Sequence, residues 1–487
     1  MAVAKGQCPN CGAAMTFGAG ASVSQVCRFC RAVVVRTDRD WKNVGKAADL
    51  ANTASRLAVS DRGRFRGRGF EVLGRVQLDH GQGPWDEFYV RFEDGTWGWM
   101  AEAQGNLYVT QLIADKALQL PPANSLQIEQ SVTLGRYGVF KVVERKTARM
   151  LTAEGELPSA PSAQRLYADC HGAQAAFATL DYNDGTRPPE LFVGTIGAFS
   201  EVTLQPRGGE RPGAQKVALA DLTCGACGGK LPPPKPGIER IACRYCSAIS
   251  DSATMAVLAR QHAARSKSVL PLGAEGTLGG TKYTVLGYCE RSAVIEGEPF
   301  AWQEYLLWSE SVGFRWIMCD EGNWLFVTPI SPADVQVNGY QARWHGRTFQ
   351  RRNENNATVA YVMGEFYWKV QIGETVLATD FINGSDVLSS ERSSDEIQWS
   401  YCSPVSFAQI ATAFGVAPNA ANLGQTFTPS SEGSGAAAAG GAFSSLAIVV
   451  CIIVCIICVA INGDGEGGSS GGGFIGSSSS FGGFGGK

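Results

Sequence analysis

Histidine is scarce in this chain of 487 residues, and the shortage limits the catalytic chemistry that the sequence can encode. The only four histidines are His80, His171, His262 and His345. None of them has a histidine counterpart in the internal repeat of the chain, although general acid–base catalysis relies most often on this residue. P-loop, GxSxG, HExxH and dinucleotide-binding motifs are also missing from any suitable context. The sequence therefore offers no conventional catalytic array.

Charge of one sign is also lacking, because the net charge is only −3. No global basic field draws the whole chain to nucleic acid. The one strongly basic run is Arg62–Gly69, whose functional interpretation is a loop that contacts phosphates. We favour a solvated stretch before the next strand, because the corresponding place in the second half, Thr277–Gly280, is uncharged.

The first residues, Met1–Gln7, lack the apolar run of a secretory signal. We therefore expect a reducing cytoplasm, in which the fifteen cysteines are thiols or metal ligands rather than disulfides.

Eight of the cysteines form two quartets with the same spacing. Each quartet has two CxxC pairs with fifteen residues between them, and the quartets are Cys8, Cys11, Cys27, Cys30 and Cys224, Cys227, Cys243, Cys246. Four thiolates at this spacing are typical of a structural tetrahedral zinc site. A redox dithiol is the alternative, but it usually requires a thioredoxin-like βαβ context. The sequence predicts two zinc ribbons and two structural zinc ions.

Behind each ribbon lies a segment rich in alternating, strand-like patterns. A shift of 217 places superimposes Trp85 on Trp302, Glu87 on Glu304, Trp99 on Trp316, Gly105 on Gly322 and Asn106 on Asn323 without a gap. The chain is therefore duplicated. We expect the shared Trp and Glu residues to form an exposed interaction surface. The shared glutamates and Asn106/Asn323 could form a carboxylate–amide site, but support of a turn or a strand end beside the tryptophans is the plainer interpretation.

A second, more divergent β segment follows in each half. Gly155-Glu156 matches Gly364-Glu365, and Phe177–Tyr182 matches Leu377–Ile382. Short strands separated by regular turn signals favour small antiparallel barrels or sandwiches. We expect a mainly β fold made of two zinc ribbons, each followed by a pair of such modules, and one C-terminal transmembrane helix.

The C-terminal region differs in composition from the rest. Residues 443–461 carry no charge, and this length approaches the roughly 20 residues needed to cross a bilayer. They follow a Gly, Ala and Ser-rich linker and precede a Gly/Ser-rich tail. We expect a single-pass membrane protein whose N-terminal bulk is cytoplasmic and whose span 443–461 contacts the lipid bilayer.

These patterns predict ten segments. They are zinc ribbon 1 (1–36), a short helix of helical periodicity (37–60), β-module 1a (61–122), β-module 1b (123–215), zinc ribbon 2 (216–250), a short helix with β-module 2a (251–330), β-module 2b (331–410), a flexible linker (411–442), the transmembrane helix (443–461) and the tail (462–487).

The repeated Trp-x-Glu-Phe/Tyr motif, Trp85–Phe88 and Trp302–Tyr305, is similar to an uncharacterised bacterial family of duplicated small β-modules. The resemblance implies N-terminal zinc ribbons, a C-terminal membrane segment and an envelope-linked role. It supplies no catalytic residues.

The leading hypothesis is a membrane-anchored, zinc-stabilised adaptor without catalytic activity. Its partner would be an unknown protein, possibly in the membrane. A nucleic-acid-binding zinc-ribbon protein and an enzyme with an active site in one β-module are the alternatives.

Overall fold

The structure is a computed structural model that describes residues 4–17, 22, 24–36, 41–46, 55–80, 84–103, 105–115, 117–159, 164–185, 188–206, 222–231, 240–246, 248–251, 257–260, 268–295, 297–368 and 370–417. Nearly all the regular structure in these residues is β-strand, which confirms the predicted mainly β fold.

Two antiparallel sheet systems with the same plan make up the two halves of the chain. The strands of the first are β1 (Ala4–Gln7), β2 (Ala14–Phe17), β3 (Ser24–Val26), β4 (Ala32–Arg36), β5 (Trp41–Lys46), β6 (Arg62–Phe65), β7 (Arg68–Asp79), β8 (Pro84–Phe92), β9 (Trp97–Ala103), β10 (Asn106–Ile113), β11 (Ser131–Thr133), β12 (Val139–Leu157), β13 (Gln164–Gly172), β14 (Ala176–Asn183), β15 (Glu190–Ala198) and β16 (Val202–Leu204).

The second half repeats this plan and ends in a helix. Its elements are β17 (Leu222–Thr223), β18 (Lys230–Leu231), β19 (Arg240–Ala242), β20 (Ala248–Asp251), β21 (Val257–Arg260), β22 (Glu275–Leu278), β23 (Thr281–Ile295), β24 (Glu298–Ser309), β25 (Gly313–Asp320), β26 (Asn323–Ile330), β27 (Gln336–Asn338), β28 (Gln341–Trp344), β29 (Arg347–Phe366), β30 (Thr375–Asn383), β31 (Asp386–Arg392), β32 (Ile397–Pro404) and α1 (Phe407–Phe414). Short 3₁₀ helices lie at Ala123–Ser125, Gly135–Tyr137, Phe199–Glu201 and Pro332–Asp334.

Each half contains a closed barrel of eight strands. In the first, β7-β8-β9-β10-β15-β14-β13-β12 are consecutive neighbours, and β12 closes the ring by pairing with β7. In the second, β23-β24-β25-β26-β32-β31-β30-β29 follow the same order, and β29 pairs with β23. We call these rings barrel 1 and barrel 2. Eight strands give an interior just wide enough for side chains to fill.

The prediction of two separate β-modules in each half is therefore wrong. Residues 61–122 supply β7 to β10, and residues 123–215 supply β12 to β15, of one and the same barrel. Their strands join at the β10–β15 and β7–β12 pairings, so neither module has a closed sheet of its own. Modules 2a and 2b share barrel 2 in the same way.

The prediction of a short helix at 37–60 is also wrong for the residues of this segment that the structure describes. Trp41–Lys46 forms β5, which pairs with β4. In the second half, Val257–Arg260 forms β21 instead of helix and pairs with β20. An available strand edge in the preceding hairpin outweighs the local Ala-rich helical period, because propensity is a weak prior against tertiary pairing.

Glycines allow the closing strands to cross tightly. Gly155 has a φ of 74° and Gly364 a φ of 95°, and a Cβ at either would lie 2.4 or 2.2 Å from the carbonyl oxygen of Leu73 or Leu286. Residues with a side chain rarely adopt this left-handed backbone conformation. The predicted match of Gly155-Glu156 to Gly364-Glu365 thus lies at the same place in both barrels, where β12 pairs with β7 and β29 pairs with β23 to close the ring.

The two barrels pack against each other through largely equivalent faces. One apolar cluster contains residues from both barrels, among them the equivalent pairs Leu126 with Val335, Phe140 with Phe349 and Leu191 with Trp399. Polar contacts add to it, since Lys141 Nζ donates to the Val335 carbonyl at 2.9 Å. Burial of this shared apolar surface joins the two halves.

Within the described residues no helix is long and apolar enough to cross a bilayer. The predicted transmembrane helix 443–461 and tail 462–487 lie outside the described residues, as does the linker 411–442 beyond residue 417.

Candidate metal centres and barrel interiors

The eight quartet cysteines come together as two groups of four. In each group the sulfur atoms all lie within 4.8 Å of one another. Cys8 Sγ and Cys30 Sγ are 3.6 Å apart, and Cys224 Sγ and Cys246 Sγ are 3.7 Å apart. Four thiolates in a tetrahedron around an ion at 2.3 Å would lie about 3.8 Å apart. Each group can therefore hold a metal ion, as the spacing predicted.

Tight turns aim each pair of thiols at one point. Gly12 N–H donates to the Cys8 carbonyl and Gly228 N–H to the Cys224 carbonyl, both at 2.8 Å, and these glycines have φ values of 75° and 72°. Tyr245 N–H points at Cys243 Sγ at 3.4 Å. Such N–H···S contacts stabilise thiolate charge and orient the ligands.

Each Cys₄ region is attached to its barrel by strand pairing. β3 pairs with β12 and β19 pairs with β29, so the sheet of the barrel continues into the second CxxC hairpin. The CxxC turns, which we call the metal-binding knuckles, are thus attached to the barrels through this strand pairing.

The tip of the second CxxC turn presents an exposed aromatic ring in both Cys₄ regions. Phe29 is 65% exposed and Tyr245 is 64% exposed, and both follow an arginine, Arg28 or Arg244. The Arg28 guanidinium lies 4.8 Å from the Phe29 ring centroid. Large apolar residues with this exposure at repeated positions are candidates for contact with another molecule.

The six residues predicted to form an exposed interaction surface lie on barrel strands β8, β9, β24 and β25, not in the Cys₄ regions. Trp302, Glu304 and Trp316 are at most 2% exposed, so the prediction is wrong for them. Trp85, Glu87 and Trp99 are partly exposed, yet they take the equivalent places in barrel 1. Their strands turn this face toward the barrel interior. Glu87 contacts Arg165 on β13, which does not pair with β8. Glu304 shares Arg291 with Glu391 on β31, which does not pair with β24.

In barrel 2 the interior contact is a buried ion-pair cluster. Arg291 Nη1 lies 2.6 Å from Glu391 Oε1 and 3.8 Å from Glu304 Oε1. Trp302 Nε1 also donates to Glu304 Oε1 at 2.6 Å. Arg291 is on β23 and Glu391 on β31, so the cluster spans the barrel.

Barrel 1 contains the same cluster built from a different arginine. Arg165 Nη1 lies 2.5 Å from Glu87 Oε2, and Arg165 Nε lies 2.7 Å from Asp181 Oδ2. Trp85 Nε1 donates weakly to Glu87 at 3.4 Å. One guanidinium again bridges two carboxylates on opposite walls.

The carboxylates are equivalent but the arginines are not. Glu391 faces Ala378 and Asp181 faces Tyr167 at the same register position of the two barrels. Arg291 pairs with Trp302 where Leu78 pairs with Trp85. Arg165 lies opposite Ala148, and the corresponding residue opposite Ala357 is Val376. The position of the positive charge has thus moved between strands while the bridge is kept.

A second repeated polar pair was missed in the sequence. Thr179 Oγ1 donates to Asp169 Oδ1 at 2.6 Å, and Ser389 Oγ donates to Asp380 Oδ1 at 2.7 Å. The match of Phe177–Tyr182 with Leu377–Ile382 hid it, because these stretches are β14 and β30 and occupy different positions. The correct signal in the sequence is the pair of aspartates. Asp169 lies in β13 before the turn to β14, and Asp380 lies in β30 before the turn to β31.

Barrel 1 carries further charges that barrel 2 lacks. Lys146 Nζ is 2.8 Å from Glu144 Oε2 and 2.5 Å from Glu396 Oε2, which comes from the β31–β32 turn of barrel 2. Tyr167 donates its hydroxyl to Glu144 at 2.5 Å. Asn353 and Asn355 stand at the corresponding places of barrel 2, so this network is specific to barrel 1.

Burial and like charge shift two carboxyl groups in this interior. Burial, reinforced by the Glu144 carboxylate, raises the pKa of Asp169 to about 8. Burial likewise raises the pKa of Glu396 to about 7, although Lys146 lies beside it. Burial lowers the pKa of His171 to about 4, so this imidazole is neutral at pH 7. Shifts of this kind occur at active sites and in structural ion-pair networks alike.

The basic run Arg62–Gly69 forms a hairpin whose arginines are all ion-paired. Arg62 pairs with Glu71 at 2.8 Å, Arg64 with Glu93 at 3.4 Å and Arg68 with Asp94 at 2.7 Å. Arg66 pairs with Glu201. The run therefore presents little uncompensated positive charge for phosphate binding.

A fold of two fused eight-stranded barrels, each preceded by a Cys₄ region, defines a duplicated two-barrel protein. The family profile described as "Domain of unknown function (DUF4178)" matches residues 58–196 and again residues 271–407. These matches cover more than half of the chain, so the protein belongs to this family, and each match corresponds to one barrel. Comparison with the curated proteins found no match. Comparison with the solved structures found none either.

Replacing Arg291 with leucine should destabilise barrel 2 by about 3–5 kcal/mol, because two buried carboxylates lose their partner. Adding Val376→Arg should recover part of the loss, since an arginine there would stand where Arg165 stands in barrel 1. The melting temperatures of R291L and R291L/V376R measure the difference. A double variant no more stable than R291L would contradict the equivalence of the two bridges.

Asp169→Asn should change how stability depends on pH. A carboxyl whose pKa rises from 3.8 to about 8 on folding stabilises fully only below its unfolded pKa, and this stabilisation is lost as pH rises toward 8. The variant should therefore gain in melting temperature over the natural protein between pH 5 and pH 8. For domains of this size each kcal/mol is worth about 2–4 °C. Parallel curves for the two proteins would rule out the raised pKa.

Proposed function

We propose that this protein is a non-catalytic adaptor, stabilised by two structural zinc ions and anchored in the membrane by residues 443–461. Its two barrels and Cys₄ regions lie on the cytoplasmic face. The observation that carries the proposal is the pair of exposed rings, Phe29 and Tyr245, at the same place in both Cys₄ regions. Two such contacts on one rigid body favour a partner that both can engage, because the second contact then forms at high effective concentration.

The interior clusters support a structural role for the repeated carboxylates. Glu87 and Glu304 each contact an arginine, so neither is a free acid or base. Interaction surfaces commonly depend on a few aromatic and arginine side chains, which is the composition of both knuckles. We therefore place the contact with the partner at the Cys₄ knuckles and not at the barrel tryptophans.

The alternative of an active site in one half has one supporting observation. Glu144, Lys146 and Tyr167 form a polar network in barrel 1, and Asn353, Asn355 and Ala378 stand at the corresponding places of barrel 2. The hydrogen bonds among these groups, and the contribution of Glu396 from the other barrel, favour a structural network. Nucleic-acid binding loses its main support, because the arginines of residues 62–69 are ion-paired.

Zinc is the metal that best fits four cysteines at tetrahedral spacing. The full chain, purified in detergent without chelator, should contain about two zinc ions per molecule. Cys8→Ser should lower the content to about one, and the second Cys₄ region provides the internal control. Each region is small and depends on the metal for stability. A zinc content near zero would overturn the assignment.

The adaptor role is tested by crosslinking and pull-down from the native host membrane. Phe29→Ala with Tyr245→Ala should abolish capture of a specific partner, and each single variant should weaken it. Tyr340→Ala is the matched control, because this ring is 76% exposed but lies outside the knuckles. A set of captured proteins that does not change in the double variant would refute the proposal. If the double variant loses only RNA that is captured with the natural protein, nucleic-acid binding would be favoured instead.

A further inference from the structure

Barrel 2 has an open cleft at the place where two of its strands separate. β23 and β29 remain paired as far as Ser292 and Thr358 and then diverge. The cleft between them has a volume of about 600 Å³, and its lining includes Val294, Pro299 and Leu377. All of its lining residues belong to barrel 2.

The same place in barrel 1 is filled by a polypeptide turn. β7 and β12 separate after the equivalent pair, Asp79 and Arg149. Beyond it, Arg145 donates its backbone N–H to the Asp395 carbonyl at 2.9 Å, and Glu144 forms a β-bridge with Glu396. The β31–β32 turn thus adds itself to the edge of β12, which is a β-augmentation contact.

Glu354 occupies the position of Arg145. A β-bulge precedes both residues, between Val142 and Glu144 in one barrel and between Arg351 and Asn353 in the other. Val142 N–H donates to the Gln130 carbonyl at 2.9 Å, and Arg351 N–H donates to the Tyr340 carbonyl at 2.7 Å. By the same alternation, the backbone N–H of Glu354 points away from β30 and toward the cleft.

The chemistry of the two places differs. Lys146, which holds Glu396 in barrel 1, is replaced by Asn355, and Arg145 is replaced by Glu354. The Glu354 carboxylate is paired with Arg351 at 2.8 Å. The lining of the cleft is mixed, with polar residues such as Asn355 and Asn356, and its exposed apolar side chains are Val294 at 65% and Leu377 at 37%. An acidic turn would lack its cationic partner here, whereas an uncharged segment with an apolar residue would match this lining.

We propose that this cleft is a docking slot for an extended, uncharged segment of a partner polypeptide. A carbonyl of the segment accepts the Glu354 N–H, and an apolar side chain lies between Val294 and Leu377. This inference rests on the proposed adaptor function and specifies the kind of partner segment that barrel 2 accepts. It is independent of the Phe29 and Tyr245 contacts.

The test uses the full chain in detergent and a phage library of random heptapeptides. The enriched peptides should carry an apolar residue and few acidic ones, and a fluorescein-labelled copy of the best peptide reports affinity by anisotropy. Val294→Glu should weaken its binding by about tenfold or more, because it replaces one of the exposed apolar side chains with a charge. Val139→Glu is the matched control, because Val139 is 60% exposed on barrel 1 and should leave affinity unchanged.

A second variant tests the equivalence of the two clefts directly. Glu354→Arg with Asn355→Lys restores the charges of barrel 1, and it should bind the peptide Glu-Arg-Ser-Ser-Asp-Glu-Ile-Gln, residues 391–398, at least about tenfold more tightly than the natural chain does. Failure to enrich peptides sensitive to Val294→Glu would overturn the slot, and so would self-association that Val294→Glu abolishes. Peptide binding lost only in Phe29→Ala/Tyr245→Ala would also overturn it while leaving the adaptor function intact.

Discussion

A guanidinium buried between two carboxylates joins opposite walls of each barrel. Removing three charges from water costs several kcal/mol per ion, and only close mutual pairing offsets that cost. Arg291 meets this condition almost without solvent, and Arg165 meets it with partial access to water. The closed ring of strands and the aromatic lining keep both bridges largely out of water, and each carboxylate then depends on its arginine for compensation of its charge.

The two barrels solve the remaining interior differently. Barrel 2 buries Trp302, Leu306, Trp316 and Met318 in one apolar cluster, and none of them is more than 2% exposed. Barrel 1 adds Tyr167 and Glu144, which are hydrogen-bonded to each other, beside the Asp169–Thr179 pair that barrel 2 repeats as Asp380–Ser389. Both barrels therefore bury charge on the same strand plan, and barrel 1 adds the Glu144–Lys146–Tyr167 network to it.

Much of this could be predicted from the sequence. Cysteine spacing is local, so both Cys₄ groups were found, and alternating strands with a constant offset of 217 disclosed the duplication. Ring closure was out of reach, because the β7–β12 pairing joins residues far apart in the chain and leaves no periodic signal. The offset of 217 holds only for β8 to β10: it is 213 at Gly74 in β7, 209 at Gly155 and 211 at Asp169, because the connections between strands differ in length. The arginine bridges could not be predicted, because Arg165 and Arg291 are not at equivalent positions. When the two halves are aligned, each arginine faces an apolar residue, Val376 or Leu78, and neither looks like a shared feature.

Glu396 has a consequence for how the two halves depend on each other. It belongs to barrel 2 by sequence, yet its carboxylate completes the charge balance of barrel 1 through Lys146. Barrel 1 by itself would carry the buried ammonium group of Lys146 with one counter-ion fewer. Separation of the two halves would therefore cost barrel 1 part of its charge balance, in addition to the shared apolar surface.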